Sequence, residues 1–193
     1  MKLLLSLLAA LFLAPLLATA DPMPAQVLAE MNLARSAPRA YAALLSKRLA
    51  GFTGKEGHGV VEEAVRFLNQ AEPLPPLAAC PGLNNSAALH VAAQGPAGKM
   101  GHANFAGRVR QFGQWQGAAG ENIHYGLKDA RGIVMALIVD DGVRDRAHRL
   151  NIFNARYGVA GVARGMHAKY GAMCVIDFAG EFVERSTAAN VPR

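Results

Sequence analysis

Gly120-Glu121-Asn122-Ile123-His124-Tyr125 and His148-Arg149-Leu150-Asn151-Ile152 bracket the stretch on which the reading of this chain turns. Between them run an apolar segment, Ile133 to Val139, and a charged turn, Asp140-Asp141-Gly142-Val143-Arg144-Asp145-Arg146-Ala147. Ala119–Tyr125 reads as a short strand. Ala130–Val139 reads as a helix, with Ile133, Val134, Leu137 and Ile138 on its inward face. Acids and imidazoles thus stand on either side of a hydrophobic element, an arrangement that suggests a site, and Asp140 and Asp141 stand side by side within it.

Downstream, Tyr157–Ala163 and Lys169–Ala179 read as two strands joined by a turn at Arg164-Gly165-Met166-His167. In the second, Tyr170, Ala172, Cys174, Ile176 and Phe178 share one face. Upstream, Pro24–Ser46 reads as a helix interrupted at Pro38, Glu62–Gln70 as a short helix stopped by prolines, and Pro81–Gln94 as a further helix. Phe105, Val109 and Phe112 fall at helical spacing, which predicts a helical turn or two over Ala103–Phe112. Helices first, then strands interleaved with a helix, predict an α+β domain in which helices cover a small, mainly antiparallel sheet.

The chain has 193 residues and a formal net charge of +6. Lys2, the apolar run Leu3–Leu17 and the small-residue pattern Ala18-Thr19-Ala20 predict a cleaved secretory leader over 1–20. That run is shorter than the roughly 20 residues a membrane span needs. A single domain over 21–193 and an exported location, periplasmic or extracellular, follow. The basic residues are scattered apart from Arg144, Arg146 and Arg149, which argues against nucleic acid as a partner. Cys80 and Cys174 are the two cysteines. An oxidising compartment allows them to pair, and two buried free thiols are the competing reading.

The residues resemble the CAP superfamily in its bacterial form, the group of cysteine-rich secretory proteins, antigen 5 and pathogenesis-related 1 proteins. Val27-Leu28-Ala29-Glu30-Met31-Asn32-Leu33-Ala34-Arg35 is similar to the family's opening helix. Leu77–Ala93 is similar to its Pro-Leu entry and Ala-rich helix, and Gly101-His102 stands where its first His stands. Gly120-Glu121-Asn122-Ile123 matches the Gly-Glu-Asn signature, and His148-Arg149-Leu150-Asn151-Ile152 the His-Arg-x-Asn-Ile motif. Tyr157 to Val162 matches the Gly-x-Gly strand that follows. The resemblance implies a three-layer α-β-α sandwich and a cleft holding His102, Glu121, Asp140 or Asp141, and His148. His124 is a further candidate lining residue. The paired Asp at 140 and 141 departs from the Glu that many relatives carry.

Two imidazoles facing a gap take a divalent metal when carboxylates orient their far nitrogens. His102 and His148 are therefore metal candidates, for zinc and more weakly for magnesium or calcium. Glu121 has an equal structural role open to it, fixing its loop. Asn122 and Asn151 read as backbone-bonding residues, Asp145 and Arg146 as a solvated ion pair, and His58, His90 and His167 as structural or exposed. Serine-hydrolase chemistry finds no Gly-x-Ser-x-Gly elbow. Two functions remain: an exported module binding a small or apolar ligand, a lipid included, and a metal-assisted hydrolase in which Glu121 or His148 acts on water.

Overall fold

Strand β4 (Met173–Glu184) is the central element of the sheet, and everything else is layered on it. The computed structural model describes residues 21–185; the expected leader over 1–20 and the tail from Ser186 lie outside the described residues. The chain runs α1 (Met23–Ser36), α2 (Pro38–Arg48), α3 (Gly59–Gln70), β1 (Ala78–Ala79), α4 (Pro81–Gln94), α5 (Phe105–Phe112), β2 (Gly113–Tyr125), α6 (Ala130–Val139), α7 (Ala147–Ile152), β3 (Val159–Gly165) and β4. The sheet order is β1-β3-β4-β2. β4 is antiparallel to both neighbours, and the two-residue β1 is parallel to β3.

Alternation along the strands sorts the molecule into three layers. Cys174, Ile176 and Phe178 point to one face and join the large core built by α1, α2, α3 and α6. Met173 and Val175 point to the other and meet Ala87 and Val91 of α4. Helix α5 completes that second layer, with Val109 packed beside Leu83 and Ala179. The result is an α+β three-layer sandwich, as the CAP resemblance implies. The two cysteines are free and buried, Cys174 in the first core and Cys80 among the residues of the other layer. Burial pushes their thiols up, to about 12 and about 11.

Three positions show how the sequence sets these layers. The missing N–H of Pro38 ends α1, and Ala37 before it leaves helical geometry at φ −137° and ψ 60°. Arg35 is fully buried and donates to the carbonyls of Pro75, Ile152, Asn154 and Tyr157, at 3.1, 2.7, 3.2 and 3.4 Å. It thereby ties α1 to the α3–β1 link, the end of α7 and the α7–β3 loop. Gly161 lies where α4 crosses β3, and a Cβ there would run into the backbone of Leu83 and Asn84.

Several boundaries differ from those the sequence predicts. β2 begins at Gly113, not Ala119, because a register shift between Gln116 and Ala119 hides its alternation. β4 begins at Met173 rather than Lys169. His167 Nδ1 accepts the N–H groups of Lys169 and Tyr170, both at 3.2 Å, and so holds those residues in a turn. The joining turn is therefore longer than Arg164–His167. Helix α7 and strand β1 are too short to leave a periodic signal.

Candidate functional site

β2 is an edge strand, and successive residues on it face opposite layers. Glu121 points toward the α4/α5 layer, in register with Asp177 of β4. Asn122 and His124 point toward α6 and α7. The two layers each deliver one histidine to this edge, and each histidine is tethered by a buried acid.

On the α6/α7 side the tether is Asp140. It terminates α6 in the left-handed region, at φ 58°, a conformation that Asp and Asn tolerate better than most residues. From there its carboxylate turns onto α7. Oδ1 takes the Nδ1 of His148 at 2.6 Å, and Oδ2 accepts the backbone N–H of His148 at 2.9 Å. Asp141 points elsewhere. It accepts the N–H groups of Lys55 and Glu56 at 2.7 and 2.9 Å and fixes the loop between α2 and α3. The neighbouring acids divide their partners, Asp140 holding the histidine and Asp141 the loop, while both line the cleft described below.

On the α4/α5 side the tether is Glu121. His102 Nδ1 lies 2.9 Å from Glu121 Oε1, and Arg108 donates to Oε2. The carboxylate is buried while the imidazole is half exposed. A carboxylate oxygen accepts and a ring N–H donates, which assigns Nδ1 as the donor nitrogen of each histidine. Each Nε2 is then left as a lone-pair acceptor while the ring is neutral.

The remaining motif residues build the frame. Asn122 Nδ2 donates to the His148 carbonyl at 2.9 Å, and Asn151 Nδ2 donates to Asn122 Oδ1 at 2.9 Å. Tyr157 donates to Asn151 Oδ1 at 3.2 Å, and its hydroxyl fills the space that a Cβ at Gly120 would need. Arg146 is not paired with Asp145. Its guanidinium joins Glu56 at 2.8 Å and Glu63 at 2.7 Å, while Arg149 is buried against Glu63 at 2.7 Å and the Ile138 carbonyl. This network clamps the α2–α3 loop and α7 to the end of α6.

The α6 side of the edge opens into a cleft of about 590 Å³. Leu49, Phe52, Ile123, Leu127, Met135 and Val139 supply apolar wall, Asp140, His148 and His124 supply one polar end, and Arg48, Lys55, Asp129 and Asp141 add charged groups to the lining. His124 Nδ1 is buried and has no hydrogen-bond partner among the described residues. Burial, and then the nearby His148, hold its ring well below the usual range, at about 4. It is a neutral imidazole at physiological pH. His102 and Glu121 stand across β2 from this cleft and are not among its lining residues.

Beneath Glu121 lies a cluster the sequence reading passed over. Asp177 is completely buried, and among the described residues both its oxygens lack a hydrogen-bond partner, as does Ser86 Oγ. Arg108 Nη2 is 4.0 Å from Asp177 Oδ1 while already engaged by Glu121. Burial first, and the Glu121 charge second, push Asp177 up to about 8. An Asp inside the apolar run Cys174-Val175-Ile176-Asp177-Phe178 was the available signal. His90 and His167 are buried and bond the carbonyls of Gly101 and Lys99, both at 2.9 Å, which makes them structural; His58 is exposed.

No protein-family model matches the sequence, and no curated protein matches it. Two solved structures are similar in shape. One is an extracellular protein containing an SCP domain from Bacillus anthracis str. Ames, 18% identical with a TM-score of 0.45 over 63% of this chain and 40% of that one. The other is a cysteine-rich secretory protein from Staphylococcus aureus subsp. aureus Mu50, 14% identical with a TM-score of 0.42 over 64% of this chain and 38% of that one. The chain thus spans about two fifths of the length of these solved proteins. Among the described residues, no helix is long and apolar enough to cross a membrane.

Proposed function

We propose that this chain is an exported CAP-type domain whose cleft binds an apolar ligand carrying a hydrogen-bond donor. The observation that carries this reading is the 590 Å³ cleft with apolar walls and a tethered histidine at one end. Its size suits a small lipid-like molecule. Asp140 occupies Nδ1 of His148, so Nε2 is the atom left for a ligand, and as a lone-pair acceptor it suits a hydroxyl. His124 adds a second neutral imidazole with an unsatisfied nitrogen. A hydroxyl that satisfies either group removes the cost of leaving it dry and unpaired.

A metal-assisted hydrolase is the alternative, and the donor set does not fit it. Both Nε2 atoms are presented as metal ligands usually are. Yet among the described residues no group of three or more His, Cys, Asp or Glu could hold a metal ion. A catalytic zinc needs about three protein ligands.

Native mass spectrometry of the protein purified without detergent tests the ligand reading. An apolar adduct that His148→Ala weakens is expected; protein that stays bare after exposure to a lipid extract would count against it. Calorimetry with Zn²⁺ tests the alternative. Tight binding abolished by His102→Ala together with His148→Ala would restore it.

A further inference from the structure

Three loops meet at one end of the sheet, and they are locked together. They are the α4–α5 loop (95–104), the β2–α6 loop (126–129) and the β3–β4 turn (166–172). Ala168 N–H donates to the Gly95 carbonyl at 2.8 Å, and His167 Nε2 bonds the Lys99 carbonyl at 2.9 Å. Gly126 N–H donates to the Ala172 carbonyl at 2.9 Å. The rings of Tyr125, His167 and Tyr170 pack on one another at 5.1 to 5.5 Å. The loops form one rigid surface.

What this surface displays is unusual for water-facing loops. Met166 is 77% exposed and Met100 54%, with Leu127 and Tyr170 beside them at 41% and 37%. Large apolar side chains gathered on adjoining loops mark a contact surface more often than isolated ones do. Lys99, Lys128 and Lys169 are interleaved with them and exposed. The three loops hold one acid, Asp129, which is spent on capping α6 at 2.8 Å and on Arg48 at 3.4 Å. The side-chain pattern is therefore apolar tips interleaved with ammonium groups that meet no acid among the described residues, the Lys169 ammonium lying over the Tyr170 ring at 5.3 Å.

Two further placements bear on the partner. Leu127 and Asp129 of the β2–α6 loop line the apolar cleft, so this surface borders it on one side. The chain also enters the fold here. Asp21 pairs with Arg164 at 3.5 Å, one residue from the end of β3.

We propose that this end of the molecule docks on an anionic lipid surface, with Met100, Leu127, Met166 and Tyr170 entering the interface and Lys99, Lys128 and Lys169 meeting the headgroups. Apolar tips insert at the depth where lysines reach phosphate, and each lysine near an anionic surface adds an attraction equivalent to about a five-fold gain in binding. The cleft mouth then faces the bilayer. This extends the apolar-ligand reading, because a ligand passes between bilayer and cleft without crossing water.

Co-sedimentation of the protein with phosphatidylglycerol vesicles and with phosphatidylcholine vesicles tests the proposal. Binding to the anionic vesicles is expected, weakening as salt is added. Lys128→Glu/Lys169→Glu should reduce it at least twenty-fold, and Met100→Ser/Met166→Ser should reduce it while leaving the melting temperature unchanged. Arg66→Glu on α3, in the opposite layer, should leave it almost intact. Absence of binding to anionic vesicles, or equal loss in Arg66→Glu and the loop variants, would overturn the proposal. Vesicle binding by a protein that takes up no apolar ligand would uphold docking and refute the ligand reading alone.

Discussion

Asp140 holds His148 at two points, the ring Nδ1 at 2.6 Å and the backbone N–H at 2.9 Å. The acid ends one helix and the histidine starts the next, so a single carboxylate fixes both the turn and the imidazole. Asp141, its neighbour, does neither. Asp140→Ala should therefore cost about 3 kcal/mol, because it strips a buried acceptor from two donors and places Ala at positive φ. Asp141→Ala should cost about 1 kcal/mol, since water replaces its contacts to exposed N–H groups. Chemical denaturation of the two variants gives the comparison, and equal losses would refute the division of labour.

Asp177 carries a pH signature. Its folded value of about 8 lies above the ordinary carboxyl range because burial and Glu121 oppose its charge. Between about 4 and 8 the folded state holds a proton that the unfolded state has released. The stability this group contributes is thus complete below the unfolded value and is lost as pH rises through about 8. Asp177→Asn mimics the protonated acid. The difference in melting temperature between variant and wild type should shift in the variant's favour as pH rises from 5 to 8.5. A difference independent of pH would show that Asp177 is ionised in the fold.

His124 should behave in the opposite sense. Held near 4 by burial and by His148, it stays neutral while the unfolded chain protonates below about 6.5. It contributes stability above that pH and loses it as pH falls through about 4. NMR titration of the imidazole protons reads this directly. A His124 midpoint above about 6 would mean that the ring is hydrated rather than buried in the cleft wall.

Gly161 is a test of packing. Its missing Cβ lets α4 lie directly on β3, and the atoms it would strike are backbone. Gly161→Ala should cost about 3 kcal/mol or more, since neither the helix nor the strand yields readily. Gly51→Ala, with nothing near its Cβ, should change the unfolding midpoint little.

Helices were the most legible part of the fold. Pro81–Gln94 and Ala130–Val139 have the predicted ends, because proline and capping residues mark them in the chain. Strand ends were less so. The bulge after Gln116 breaks the alternation of β2, and His167 converts the expected start of β4 into a turn through contacts that are invisible in a linear reading. At the site, the motif residues Glu121 and His148 stand out in the sequence, but not the fact that Glu121 lies across β2 from the cleft that His148 lines. Which acid meets which histidine depends on strand facing and on the left-handed Asp140, and both are tertiary facts. Arg108 and Asp177 lack local pattern altogether, save for one acid in an apolar strand.

The central claim is that the α6 side of the β2 edge takes an apolar molecule. Displacement of fluorescent N-phenylnaphthylamine by dodecanol, in wild type and in Ala136→Trp, tests it most directly, because Ala136 lines the cleft and the indole would fill it. Saturable uptake by wild type, displaced by dodecanol and lost in a folded Ala136→Trp protein, is the predicted result. No uptake, or uptake unchanged by the tryptophan, would contradict it.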